Sequence, residues 1–211
     1  MSVLTSELRA AGVGRMARLR QVAALAASGI VAACAATYVV APPPRAPAVA
    51  RAPVAVLDHG RHSSLVIGLP DGRMVRYAYG DWRWYAEGKT GAAEGYAALF
   101  RETPSALGRR VMAGPLTAET LRRQVGVVIE DMLLLDVDAA AAQRLVDKLD
   151  GIAEAGRARM LTNQQADLDF FPHPEPYTAA HNSNRVLAGW LREMGAEVEG
   201  DGLIADWTLR R

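Results

Sequence analysis

An uncharged apolar run near the N-terminus places the strongest constraint on how this chain can fold. Residues 21–41 contain no charged side chain, and residues 1–20 before them carry four arginines against one acid. About 20 apolar residues can cross a bilayer as a helix, and a positive flank stays on the cytoplasmic side. We therefore expect a basic cytoplasmic segment over residues 1–20, a membrane segment over residues 21–41, and the remaining chain in the periplasm.

The same run is compatible with more than one kind of anchor. Val31-Ala32-Ala33-Cys34 resembles a bacterial lipobox, whose cysteine is lipidated after cleavage, so a lipoprotein signal is one alternative. Apolar residues continue past Cys34 through Tyr38-Val39-Val40, which favours an uncleaved transmembrane signal anchor. A cleaved secretory signal is the third alternative. Because Cys34 is the only cysteine, the chain has no intramolecular disulfide and no cysteine-based metal site.

A Pro/Ala-rich linker over residues 42–53 follows, in which proline rings hold the backbone in extended geometry. Residues 54–211 have the length of one ordinary domain. The formal charge of +1 and the charged fraction of 22% show no basic excess, so we do not expect a nucleic-acid partner.

Local patterns predict an α+β domain in which an antiparallel sheet packs against helices. Pro70-Asp71-Gly72 is a strong turn signal between two apolar runs, so we expect a β-hairpin whose opposed residue numbers sum to about 142. That register places His62 beside Gly80 and Asp81. Thr117 is predicted to cap a helix over residues 118–124 and Asp138 a longer one. We interpret the proline-rich stretch over residues 170–176 as a stiff approach to the last helix.

This last helix is predicted to begin near Asn182 to Asn184 and to stop at Gly195. The first turn of a helix presents unpaired N–H groups and a partial positive charge, which suit a nucleophile or an anion. Ser183 lies there. A hydrolase of the nucleophile, base and orienting-group kind could use Ser183, His62 and Asp81 in these roles. On spacing alone, Ser183 could equally be an N-cap and His62 a surface histidine.

The motifs resemble those of an uncharacterised bacterial family, described as urease-associated, with a domain similar to permuted NlpC-type papain-fold hydrolases. The resemblance covers roughly residues 54–195 and is carried by three stretches, which are His59-Gly60-Arg61-His62-Ser63-Ser64-Leu65-Val66, Tyr79-Gly80-Asp81-Trp82-Arg83-Trp84-Tyr85, and Tyr177-Thr178 through Asn182-Ser183-Asn184. It implies a permuted papain-like fold, a catalytic histidine at His62 and a nucleophile at Ser183. Asn184, Tyr79, Trp82 and Tyr177 are the motif residues that we assign to ligand binding.

The sequence departs from the family pattern at the nucleophile itself, because Ser183 stands where the family has cysteine. Arg61 and Val186 stand where the two motifs have tryptophan. A serine hydroxyl is a far weaker acid than a thiol and needs a well-aligned base. We therefore expect a non-catalytic or weakly active pseudoenzyme that binds a cell-wall peptide or an acyl ligand without a cofactor or a metal. An active serine hydrolase or acyltransferase and a purely structural envelope protein are the alternatives.

Overall fold

The computed structural model describes residues 37–44, 49–202 and 205–210. They form the predicted α+β fold, in which a large antiparallel sheet packs against helices. The strands of this part are β1 (Tyr38–Ala41), β2 (Arg51–Asp58), β3 (Ser63–Gly68), β4 (Met74–Asp81), β5 (Thr103–Met112), β6 (Asp131–Asp138), β7 (Leu161–Asn163), β8 (Leu168–Tyr177), β9 (Glu197–Glu199) and β10 (Trp207–Leu209). The α-helices are α1 (Ala92–Phe100), α2 (Ala118–Gln124), α3 (Ala139–Gly156) and α4 (Ser183–Glu193). A π-helical turn spans Trp82–Ala86 and a 3₁₀ turn spans Arg157–Arg159.

The strands are arranged in two sheets. The larger sheet has the order β6-β2-β3-β4-β5-β8-β7, and every neighbouring pair in it is antiparallel. The smaller sheet has the order β10-β1-β9, with β1 parallel to β10 and antiparallel to β9. The predicted hairpin lies at the centre of the larger sheet.

The register of that hairpin is the predicted one. Ser64 lies opposite Ala78 and Gly68 lies opposite Met74 across β3 and β4. The turn is closed by hydrogen bonds from Leu69 N–H to the Arg73 carbonyl and from Gly72 N–H to the Leu69 carbonyl. Gly72 has φ +80°, a conformation that glycine adopts without strain. Turn chemistry therefore sets the pairing of the two central strands.

The two faces of the larger sheet bury different clusters. Side chains alternate along a strand, so residues two apart share a face. One face contributes Leu65, Ile67, Val75, Tyr77 and Tyr79 to the cluster that holds the buried stripes of α3 and α4. We call this the α4 face. The opposite face carries Val66, Met74 and Ala78, which belong to two separate clusters that contain no residue of α3 or α4.

The predicted helix starts are confirmed by their caps. The Thr117 side chain accepts a hydrogen bond from the backbone N–H of Thr120 at the start of α2. Asp138 accepts one of 2.8 Å from Ala141 at the start of α3. The predicted stripe of α3 is buried at Leu145 and Leu149. These caps satisfy N–H groups that have no partner inside their helices.

The proline-rich stretch over residues 170–176, predicted as a stiff approach to the last helix, forms most of strand β8. Pro172, Pro174 and Pro176 fall at alternate positions, so the N–H groups that they lack would all point to one edge of the strand. The other edge pairs with β5, and β7 covers the proline edge only as far as Phe170. Pro174 and Pro176 have no partner in β5, because the register shifts between the pairs Ser105–His173 and Thr103–Tyr177. Prolines are tolerated at such irregularities and at unpaired edges, which is why the stretch can be a strand.

The predicted boundaries near the N-terminus also need correction. The last four residues of the predicted membrane segment, Tyr38–Ala41, form strand β1, in which Tyr38 and Val40 are buried. Tyr38 stacks on Trp207 with ring centroids 4.3 Å apart. At the other end of the predicted linker, residues 51–53 already belong to β2. Aromatic and β-branched side chains suit a strand as well as an apolar helix, so hydropathy alone did not separate the two.

Residues 1–36, which contain the predicted basic segment, most of the predicted membrane segment and Cys34, lie outside the described residues. Within the described ranges, no helix is both long and apolar enough to cross a membrane.

Candidate functional site

The start of helix α4 is built by Asn182, which is its N-cap. The Asn182 side-chain oxygen accepts hydrogen bonds from the N–H groups of Asn184 (3.0 Å) and Arg185 (3.1 Å). Its amide nitrogen donates to the carbonyl of Ala179 at 2.9 Å. The alternative that Ser183 is the N-cap is therefore wrong, since Ser183 is the first helical residue.

Ser183 is buried, with 5% of its surface exposed. Within the described residues its hydroxyl makes no hydrogen bond to an imidazole or to any other group. The hydroxyl lies at the partially positive end of the helix, where Asn182 already pairs the N–H groups of Asn184 and Arg185. A nucleophilic serine also needs a base to remove its proton. Ser183 therefore lies at a helix start that would favour an anionic nucleophile, but no imidazole of the described residues accepts its proton.

A buried network connects the start of α4 to the start of β3. The Ser63 hydroxyl donates to Asn184 Oδ1 at 3.0 Å, and the indole N–H of Trp207 donates to Ser63 Oγ at 2.7 Å. All three side chains are at least 95% buried. Asn184, which we assigned to ligand binding, thus uses its side-chain oxygen inside the protein.

His62 precedes Ser63, but its imidazole belongs to the other face of the sheet. Its ring lies 5.1 Å from that of His59 and 5.2 Å from that of Tyr85. Tyr85 covers Gly80, where a Cβ atom would overlap its ring, and it packs with the cluster of Ala78 and Phe170 opposite α4. Among the described residues, no hydrogen bond joins His62 to Ser183. The structure therefore brings the two segments together without forming the predicted Ser183–His62 pair.

Asp81 has a structural task that the sequence did not reveal. Its buried carboxylate accepts a 2.8 Å hydrogen bond from the N–H of Trp84 and so caps the π-helical turn. Among the described contacts, none places it on the imidazole of His62. Asp81 therefore holds the turn that carries Trp84 and Tyr85.

The predicted aromatic binding residues are divided between the two faces. Tyr79 and Tyr177 stack on the α4 face with centroids 6.0 Å apart. Burial raises the pKa of both phenols, that of Tyr177 to about 12. Trp82 packs on the opposite face and donates its indole N–H to Glu87 at 3.1 Å.

A histidine that sequence reasoning missed lies beside Tyr79. The Tyr79 hydroxyl is 3.0 Å from His181 Nδ1 and 3.0 Å from the carbonyl oxygen of Pro176. His181 Nε2 lies 3.1 Å from the carboxylate of Glu175. The position of His181 two residues before Ser183 is the signal that could have identified it.

Sequence reasoning also missed Arg76, which is 1% exposed in the middle of β4. Its Nε donates to Ser64 Oγ at 2.9 Å, and its Nη2 lies 3.3 Å from His59 Nε2. His59 Nδ1 is 2.7 Å from the carbonyl oxygen of Val128, so Nδ1 carries the proton and Nε2 accepts. An arginine between Val75 and Tyr77 in an apolar strand was the available signal.

Burial and the neighbouring Arg76 lower the pKa of two histidines on this face. The pKa falls to about 3 for His59 and to about 4 for His62. Both imidazoles are therefore neutral near pH 7. A general base works best with a pKa close to the operating pH, so His62 is poorly tuned for that role.

A cavity of about 190 Å³ opens beside His62 and Arg76. Its apolar walls come from Trp84, Leu168 and Phe170, and Asn163 and Gln165 add polar groups. No described group of three or more His, Cys, Asp or Glu side chains is arranged to hold a metal ion. Comparison with protein-family models, curated proteins and solved structures finds no match to this chain.

Proposed function

We propose that this chain is a membrane-anchored periplasmic domain of the permuted papain-like type that binds an amide- or acyl-containing envelope ligand without hydrolysing it. The observation that carries the proposal is the separation of His62 from Ser183. The imidazole packs against Tyr85 and His59 on one face of the sheet, while Ser183 begins a helix on the other. A nucleophilic serine needs an imidazole within about 3 Å, and none of the described residues supplies one.

The chemistry at Ser183 and at His62 supports ligand binding over catalysis. Proton transfer by a positioned base contributes about 10²–10⁴-fold to an enzymatic rate, and this site lacks that contribution. The low pKa of His62, which results from burial and from Arg76, further weakens it as a proton acceptor. The cavity beside His62 has the mixture of apolar wall and few polar groups that is typical of small-molecule sites. We take this cavity as the binding site.

A fluorophosphonate probe tests the assignment, because it labels serines that are activated for nucleophilic attack. We expect no labelling of Ser183 in the purified wild-type domain, with a known serine hydrolase as the positive control. Labelling that disappears in Ser183→Ala but persists in His62→Gln would show activation by another base. Labelling lost in both variants would establish the alternative, an active serine hydrolase or acyltransferase that uses Ser183 and His62.

The anchor is proposed from the residues before β1. Because Tyr38-Val39-Val40 form a strand of the folded domain, their apolar character no longer favours an uncleaved transmembrane anchor over a lipoprotein. The uncharged run before the strand then has about 17 residues, the lower limit for a spanning helix. Membranes from cells that express the full chain should retain it after a high-salt wash. Loss of retention in Cys34→Ala would identify a lipid anchor, retention would identify a helix, and a soluble wild type would overturn the anchor.

A further inference from the structure

Arg76 presents a buried donor that has no partner. The residue is 99% buried, and within the described part of the chain its Nη1 makes no hydrogen bond. The nearest carboxylate oxygen, on Asp167, lies 3.9 Å from Nη1. A buried charged donor is usually hydrogen-bonded, because leaving it unpaired is costly.

The charges around Arg76 do not balance. Asp167 is the carboxylate facing it, and the same carboxylate pairs more closely with Arg110 and accepts a hydrogen bond from Gly126 N–H. The other groups that face Arg76 are Ser64 and the neutral His59. Burial lowers the pKa of Arg76 to about 10, so the guanidinium remains charged near pH 7. Two guanidinium groups thus share one carboxylate, which leaves an excess of one positive charge.

Arg76 borders a cavity, in whose wall its unpaired Nη1 is buried. Arg76 and His62 both line the cavity of about 190 Å³, whose other walls include Trp84, Leu168 and Phe170. Ligand pockets for drug-sized molecules are larger, about 300–1,000 Å³. This cavity therefore fits one small group or the end of a longer molecule.

We propose that this cavity binds a monocarboxylate, with the carboxylate on Arg76 and His62 and the attached apolar group against Trp84, Leu168 and Phe170. A single negative charge matches the single excess positive charge of the arginine pair. One guanidinium nitrogen and one imidazole N–H offer donors for two carboxylate oxygens, fewer than a phosphate dianion requires. The assignment rests on the proposed function in taking this cavity as the binding site.

The test uses benzoate, with neutral benzamide as its uncharged analogue and phenylphosphonate as the dianionic one. Thermal unfolding of the domain is followed at pH 7.5, with total ionic strength held constant by sodium chloride. At ten times the dissociation constant, benzoate should raise Tm by roughly 3–5 °C. Benzamide should have no such effect, and phenylphosphonate should have a smaller one. An equal response to benzamide would overturn the proposal, and a larger response to phenylphosphonate would replace carboxylate by phosphate chemistry.

Arg76→Met removes the charge and keeps an apolar side chain of similar length. We expect the benzoate shift to disappear in this variant and to persist in Arg109→Met. Arg109 is the matched control, since it is a neighbouring sheet arginine that pairs with Asp150 and does not line the cavity. A benzoate shift that survives in Arg76→Met would overturn the proposal.

Histidine NMR of the wild-type protein gives a readout that does not depend on the variant folding. The chain has four histidines, of which His59 and His62 lie beside Arg76 while His173 and His181 lie around Tyr79 on the α4 face. Benzoate should move the ring signals of His62 and His59 and leave the other two in place. Uniform movement or none would contradict the proposal. This outcome is independent of fluorophosphonate labelling of Ser183, which decides whether the domain is catalytic, so the two failures are distinguishable.

Discussion

The Ser63 hydroxyl donates a 3.0 Å hydrogen bond to the side-chain oxygen of Asn184 and accepts one of 2.7 Å from the indole N–H of Trp207. This one hydroxyl connects the start of β3, the start of α4 and the C-terminal strand β10. Ser63 follows His62 and Asn184 follows Ser183, yet both side chains are directed into the protein. The network therefore fixes the position of the α4 N-terminus against the sheet.

Ser63→Ala should destabilise the domain by about 1–3 kcal/mol, because it leaves the buried indole N–H of Trp207 without its acceptor. Urea denaturation measures the change in the free energy of unfolding. Thr162→Ala is the control. Thr162 lies on the exposed edge strand β7, and its hydroxyl donates a hydrogen bond to Asp169 of β8. The control should change stability by no more than about 0.5 kcal/mol. Equal losses in the two variants would argue against a special role for the network.

Asn182→Ala should cost about 1 kcal/mol of stability, because it removes an N-cap that serves two backbone N–H groups. Ser183→Ala should be nearly neutral, because the lost hydroxyl has no hydrogen bond among the described residues. Paired thermal or urea unfolding of the two variants measures this difference. A larger loss in Ser183→Ala than in Asn182→Ala would show that the serine hydroxyl carries an interaction of its own.

Stability should fall as pH is lowered from about 6.5 towards 4. In the folded protein, burial and then Arg76 lower the pKa of His59 to about 3 and of His62 to about 4, whereas an unfolded histidine has a pKa of about 6.5. Between these values the unfolded state binds more protons, so the free energy of unfolding decreases with decreasing pH. The full contribution is present above about pH 6.5 and is lost through the two folded-state pKa values.

The difference between wild type and a His59→Gln/His62→Gln double variant isolates this effect. Asp58 acts in the opposite direction, because burial raises its pKa, but it is present in both proteins. Urea midpoints at pH 7 and pH 5 should show a smaller loss on acidification in the double variant. Parallel pH profiles would mean that neither histidine is held neutral by the fold.

Asp167→Asn should destabilise the domain by about 2–3 kcal/mol, because it removes the carboxylate that Arg76 and Arg110 share. Asp167 has a φ of +58°, which asparagine also adopts readily, so the substitution changes the charge without straining the backbone. Urea denaturation at pH 7.5 measures the loss. Asp71→Asn, which breaks an exposed pair with Arg73, should cost less than about 0.5 kcal/mol. A similarly small effect at Asp167 would contradict a buried, charge-dependent cluster.

The elements predicted from the sequence are those that depend on neighbouring residues. The hairpin register follows from the Pro70-Asp71-Gly72 turn, and the starts of α2, α3 and α4 follow from local capping patterns. The strand β8 was missed, because prolines are compatible with a strand only at an unpaired edge or an irregularity, such as the register shift opposite Pro174 and Pro176. That condition depends on β5 and β7, which are distant in the chain.

For the candidate site, sequence placed Ser183 correctly at the helix start and His62 correctly at a strand end. It did not separate Asn182 as the cap from Ser183, since both residues are good caps. It also passed over Arg76, His59 and Trp84, which line or support the cavity. His59 and Trp84 belong to the motif stretches, whereas Arg76 lies outside them and comes beside Ser64 and His59 because β4 pairs with β3.

The sequence by itself determined where this protein turns, where its helices begin, and that the residue at the start of α4 is a serine. Those features follow from backbone hydrogen bonds and turn conformations within a few residues. Only the tertiary structure decided that His62 faces Tyr85 and Arg76 while Ser183 lies on the α4 face. The physical reason is that a side chain at a strand end is directed by what packs against it, here the ring of Tyr85 over Gly80.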